Sequence, residues 1–199
     1  TYHLSLNVYD PPINDQCTDA EFLPNSEWVF GANYGATGAD LTSCGTNDWT
    51  DVWYVYTAVD TGTATLGFSN HGGGVITLAG LDECSGTEIG CWTIPGYAWD
   101  SLPFGVVEGE TYYLRIAGEN GATGSFEVCV TVPPSNDECL SAQVLLEGSS
   151  VCGMTGGATG TDITSCGTDD WNDVWYVYTA SSTALATVSL YGDSPMILA

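Results

Sequence analysis

The chain has 199 residues, 44% of them hydrophobic and 12% aromatic, so it can bury a core; its 25 carboxylates face a single cation, Arg115, and its net charge is −24. Such a charge excludes a nucleic-acid backbone as partner and opposes an anionic membrane surface. No apolar run approaches the roughly 20 residues of a membrane span, so membrane insertion is not expected.

In chain order, residues 2–9 read as a strand that runs into Pro11-Pro12, and Asn14-Asp15 and Cys17 follow. Asn47-Asp48-Trp49-Thr50-Asp51 leads into a β-branched and aromatic strand at 52–57, whose two faces are Trp53/Val55 and Val52/Tyr54/Tyr56. Residues 63–68 alternate, and 75–78 follow the turn Gly72-Gly73-Gly74. Two more strands, 112–116 and 125–132, flank Asn120-Gly121, a pair suited to a hairpin turn. Sustained helical periodicity is absent, and 25 glycines and 8 prolines punctuate the chain. Short strands parted by turn residues about every 8–12 positions specify an antiparallel β-sandwich of the jelly-roll or immunoglobulin-like kind.

After Pro133-Pro134 the sequence repeats. Residues 11–58 realign without a gap on 133–180, at an offset of 122, with 29 of 48 positions identical. A period of that length gives each copy room for its own core, so the fold class is all-β, as tandem disulfide-stapled sandwiches. The expected division is 1–10 as the closing strand of a preceding repeat, placed to complete the next sandwich, 11–132 as a complete sandwich, and 133–199 as the first part of another. The chain is expected to continue past 199. The Pro-Pro joint, without a Gly/Ser tract, predicts a short stiff linker.

Eight cysteines without a CxxC pair or a histidine cluster indicate disulfides and an oxidising compartment, hence a secreted or cell-surface protein. Cys17 and Cys44 recur together as Cys139 and Cys166, which assigns Cys17–Cys44 and Cys139–Cys166. Cys84 and Cys91 flank a short loop and form the third pair. Cys129 and Cys152 remain; both are missing from the earlier copy, where Asn7 and Phe30 stand, and they are assigned as a pair: either it staples two neighbouring domains, or the closing strand belongs structurally to the following domain. By the same geometry, residues 2–9 should lie beside 28–33.

The run Pro-Pro-x-Asn-Asp-x-Cys, then Gly-Ala-Thr-Gly, Ser-Cys-Gly and Asp-Val-Trp-Tyr-x-Tyr-Thr-Ala resembles a repeat of large secreted bacterial proteins. These modules are similar to the pre-peptidase C-terminal (PPC) domain. The resemblance covers 11–132 and the available part of 133–199, and also takes in Leu81-Asp82-Glu83-Cys84 and the segment 109–118. It implies a β-sandwich with an accessory or surface role, and some such relatives bind calcium or polysaccharide. Where relatives often carry an Asn-Asp-Asp run, this chain has Trp92-Thr93-Ile94 after Cys91.

No catalytic residue is expected, and the chain is not read as an enzyme. The two histidines, His3 and His71, stand beside no nucleophile elbow. No cofactor is required by the sequence. Calcium is the ion that its recurring acidic turns would suit, with Asn14, Asp15, Asp48 and Asp51 as ligands in one copy and Asn136, Asp137, Asp170 and Asp173 in the next. The bland reading of the same residues is turn capping. Trp49 and Trp53 recur as Trp171 and Trp175, which favours packing; Trp92, Tyr97 and Trp99 are the candidate ligand platform. Arg115 is read either as paired with a carboxylate or as a solvated surface residue.

Two functions follow. In the first, the chain is a structural repeat of an extracellular fibre, pilus-like filament or stalk, whose partners are copies of itself or neighbouring repeats. In the second, it is a non-catalytic module of a secreted protein or adhesin that binds carbohydrate or calcium.

Overall fold

Two parallel rows of inward-facing residues, Val52/Tyr54/Tyr56 and Ala64/Leu66/Phe68, meet in the middle of the first of two units. The structure is a computed structural model, and it describes residues 3, 8–38, 42–151, 155–159 and 172–190. The chain divides into two compact units, Thr1–Val132 and Pro133–Ala199.

In the first unit the strands are β1 (Glu21–Phe22), β2 (Val29–Ala32), β3 (Thr50–Thr57), β4 (Gly62–Asn70), β5 (Ile76–Leu81), β6 (Glu88–Ile94), β7 (Trp99–Val106), β8 (Thr111–Gly118) and β9 (Ser125–Thr131). They form a five-stranded sheet in the order β1-β3-β8-β5-β6 and a four-stranded sheet in the order β2-β9-β4-β7. All pairings are antiparallel except β1 with β3, which run parallel at the sheet edge. Alternation places Val52, Tyr54, Leu78, Leu114 and Ile116 of one sheet against Leu66, Phe68, Leu102, Phe126 and Val128 of the other. Phe68 stacks on Phe126 at 5.2 Å between ring centroids, and Tyr54 meets Phe126 edge-on at 6.1 Å. No helix but short 3-10 turns occurs among the described residues.

Asn120-Gly121 does not close a hairpin. β8 belongs to the five-stranded sheet and β9 to the four-stranded one, so the chain crosses between sheets there. Asn120 and Gly121 do take the left-handed backbone expected of such a pair, with φ of 53° and 73°. Their turn is captured instead by Asn33, whose amide nitrogen donates to Thr50 O (2.8 Å) and Ala122 O (3.0 Å) while its oxygen accepts from Gly124 N (2.7 Å). That buried brace redirects β9 to the second sheet.

The disulfides also differ from expectation. Cys17 bonds Cys84 and Cys44 bonds Cys91, not Cys17–Cys44 and Cys84–Cys91. Both bridges run to the β5–β6 hairpin: Cys91 lies opposite Ala79 in the ladder, and Cys84 is in the turn. Recurring together identified positions with a shared role, not a bond between them; the counterparts of Cys84 and Cys91 would fall past residue 199. Cys129 and Cys139 are free thiols, which departs from the assigned Cys129–Cys152 and Cys139–Cys166. Cys152 and Cys166 lie outside the described residues, as do residues 2 and 4–7 of the N-terminal strand expected beside 28–33. Tyr9, at its end, stacks on Tyr34 at 5.5 Å.

The second unit pairs β10 (Gln143–Val144) in parallel with β11 (Tyr176–Val177). It makes the same local bonds as the first at equivalent positions. Asn136 O accepts from Trp175 N at 2.8 Å, as Asn14 O accepts from Trp53 N at 2.8 Å. Asp137 accepts from the Thr159 hydroxyl at 2.7 Å, as Asp15 accepts from Thr37 at 2.6 Å.

Candidate functional site

The two sheets of the first unit are treated differently on their outer faces. Outside the five-stranded sheet, the segments around Cys17 and Cys44 lie over Trp53, Ala79, Leu81 and Tyr113, and the two disulfides hold them down. Arg115 projects to this covered side and is 1% exposed. Its Nε donates to Asp51 Oδ2 at 2.7 Å, and Nη1 donates to Asp48 Oδ2 at 2.8 Å and to Thr42 Oγ1 at 3.2 Å. Nη2 donates to the backbone oxygen of Asp48 and to Asp48 Oδ1. Thr77 donates to the same Asp48 at 3.1 Å. Of the two readings of Arg115, the paired one is correct.

Burial alone would push the Arg115 guanidinium down, but the hydrogen bonds of Asp48 and the charge of Asp51 outweigh it and hold it above its ordinary value. For Asp51 the balance falls the other way: burial raises the carboxyl more than Arg115 lowers it. Asp51 Oδ1 is buried without a hydrogen-bond partner, next to a recess of mixed character bordered by Asp15, Gln16, Gly38, Trp53 and the Cys17–Cys84 bridge.

The expected calcium ligands are thus spread over several tasks. Asn14 donates its amide to Trp53 O at 3.0 Å, and Asn136 repeats this with Trp175 O. Asp15 caps the Thr37 turn; burial would raise it, but the Thr37 N–H and hydroxyl and Gln16 hold it below its ordinary value. Asp137 caps Thr159. Asp173 Oδ1 is buried without a partner, and Asp170 lies outside the described residues. No group of three or more His, Cys, Asp or Glu side chains among the described residues is placed to hold a metal.

Outside the four-stranded sheet nothing comparable covers the surface among the described residues. Residues 126, 128 and 130 of β9 point inward, so Glu127 and Cys129 point outward, and the ladder sets Phe30, Glu127, Ser69 and Trp99 side by side across all four strands. Phe30 is 65% exposed, Trp99 63% and the neighbouring Trp28 50%. Three strand spacings put about 14 Å between the ends of this row. Trp28 lies over Gly67, where the lack of a side chain leaves room for its ring. His71 meets Glu127 at 3.2 Å and the edge of Phe30 at 6.4 Å.

Of the platform expected from sequence, Tyr97 and Trp99 are exposed at the start of β7, Tyr97 in the left-handed backbone with φ 57°. Trp92 is not with them: it is part of β6 in the other sheet, with its ring folded over Gly90 and against the core. Trp28 and Phe30 were missed, although their spacing of two, with the inward Val29 and Gly31 between and after them, carries the signal. Trp53 is buried as its recurrence suggested, whereas Trp49 is half exposed against Gly121.

Residues 13–129 match the family model of a T9SS-associated family described as galactose binding domain-like. The chain belongs to this family. Among solved structures, the galactose-binding-domain-like chain is similar to the pre-peptidase C-terminal domain of a collagenase from Bacillus anthracis, at 14% identity and a TM-score of 0.42, covering 63% of this chain and 100% of that one. It is also similar to a family 35 carbohydrate binding module from an environmental isolate, at 14% identity and a TM-score of 0.30, covering 46% and 71%. No curated protein matches it. The family match fits the PPC-like reading of 11–132. The family and the two disulfides point to an extracellular or cell-surface protein, and no helix among the described residues is long and apolar enough to cross a membrane.

Proposed function

We propose that the 11–132 unit is a non-catalytic carbohydrate-binding module of a secreted or cell-surface protein, which holds an uncharged polysaccharide on the bare face of its four-stranded sheet. The observation that carries this reading is the row Phe30–Glu127–Ser69–Trp99, with Trp28 beside it. A sugar ring has an apolar C–H face and a polar rim. Aromatic faces suit the first, and the carboxylate, hydroxyl and imidazole of Glu127, Ser69 and His71 suit the second. A net charge of −24 selects against acidic glycans. The family's description as galactose binding domain-like supports the same class of ligand.

Retardation of the full chain in native gels cast with neutral galactans, glucans or mannans, and tryptophan emission titrated with their oligomers, test the reading. Retardation by at least one neutral glycan, with an emission change at matching concentrations, is expected. No response to any of them would sink it.

A second reading, a structural repeat of a fibre or stalk, is favoured by one observation. Both units fix their turns with the same bonds, Asp15–Thr37 and Asp137–Thr159, and with the same parallel pair. Electron microscopy of the native particle separates the two, since rigid periodic fibres belong to the second.

A further inference from the structure

We propose that Arg115 is the resident cation of the Asp48–Asp51 cluster and holds the place that a divalent ion would take, so that calcium has no site at these carboxylates. The sequence presents them as calcium ligands, in acidic turns just ahead of a strand. The fold delivers a guanidinium to them from β8, where Arg115 stands opposite Trp53 on one side and Ala79 on the other. Its donors reach Asp51 Oδ2, both carboxylate oxygens of Asp48 and the Asp48 backbone oxygen, the mixture of carboxylate and carbonyl oxygen that calcium takes. A planar guanidinium offers about five N–H donors in a fixed fork and stays charged at any pH the fold survives.

An ion could not share those oxygens with it. The guanidinium is within 2.8 Å of both carboxylates, whose side chains are 2% exposed or less, and there a second positive charge would be strongly repelled. Among the described residues, the carboxylate oxygens that remain there are Asp51 Oδ1 and those of Asp15, which already accept from Thr37 and Gln16. That set falls short of the roughly six to eight oxygens calcium gathers. The guanidinium also does what a structural ion does: it ties a loop (Thr42, Asp48) to two strands, β3 through Asp51 and β8 through its own backbone.

The direct test needs no variant. Thermal melts of the full chain in about 5 mM calcium and in chelator are expected to share one midpoint, because an ion without a site in the native state cannot shift it. A rise of more than about 3 °C in calcium overturns the proposal. The converse test is Arg115→Met, which empties the cluster of its cation. It is expected to melt lower in chelator and to recover in calcium, and a folded variant indifferent to calcium overturns the proposal. Should Arg115→Met fail to fold in either medium, Arg115→Lys is read instead. With a charge but fewer donors it must gain more from calcium than the parent chain does, or the idea fails.

Discussion

Trp28 reaches across β9 and lays its six-membered ring on Gly67 of β4. Continuing the β2–β9 register sets it opposite Cys129, whose side of the strand faces outward yet is only 5% exposed. Burial pushes that thiol up, which slows its reactions. Trp28→Ala is therefore expected to speed alkylation of Cys129 by about tenfold or more, as read by peptide mass spectrometry over time. An unchanged rate would mean that something other than the indole covers the sulfur.

Phe30 and Trp99 stand at the two ends of the aromatic row and pack little against the fold. Phe30→Ala and Trp99→Ala should each weaken polysaccharide binding by about fivefold, the loss of one stacking contact of ~1 kcal/mol. Their unfolding free energies should stay within the ~0.5 kcal/mol typical of surface substitutions. Loss of binding together with a large drop in stability would instead mean that these rings are structural.

The two bridges close loops with sequence separations of 67 and 47 residues. In the chain-entropy picture each restrains the unfolded chain by about 4 kcal/mol. Non-reducing peptide maps should return Cys17 with Cys84 and Cys44 with Cys91, and reduction should lower the denaturation midpoint sharply. A map that joins Cys17 to Cys44 would overturn the arrangement.

Gly31 leaves no room for a methyl group, because the Tyr54 hydroxyl and the Phe126 ring occupy the position where it would go. Gly31→Ala should cost about 1–3 kcal/mol as an overpacked core site, measured by urea denaturation. Its outward-facing neighbour Ala32 tolerates change far better, and Ala32→Ser serves as the control.

Burial, with the charge of Glu21 second, pushes the Tyr54 phenol up to about 12. The folded chain thus keeps a proton that the unfolded chain releases near pH ~10. The stability tied to this group is complete below pH ~10 and is lost as pH rises through about 12. Denaturation midpoints followed upward from pH ~9 should fall less steeply for Tyr54→Phe than for the parent chain.

Period-two alternation was enough to read β3 and β4 and to separate the face Val52/Tyr54/Tyr56 from Trp53/Val55, while β5, buried on both faces, was legible only from the Gly72-Gly73-Gly74 turn before it. It failed at Asn120-Gly121, where a local turn preference is compatible with either a hairpin or a crossover, and a buried side chain 87 residues earlier, Asn33, decides between them. The disulfides were out of reach for a similar reason: spacing reports recurrence, while bonding depends on which strand a loop is laid across. At the aromatic face, Trp99 was legible as exposed. Phe30 gained its meaning only from ladder partners in three other strands. Arg115 lay at the limit, since a lone cation among carboxylates must find one of them, but which ones is settled by the register of β8 against β3 and β5.

The sole cation of these 199 residues has a consequence outside electrostatics. A protease that cuts after basic residues has one bond to attack in this sequence, Arg115–Ile116. That bond lies in an interior strand, flanked on both sides in the ladder, with side chains 1% and 0% exposed. Local fraying of loops or termini does not present it, and only an opening that pulls β8 from both neighbours does. The rate of that single cut is therefore a direct gauge of how often the whole sandwich comes apart.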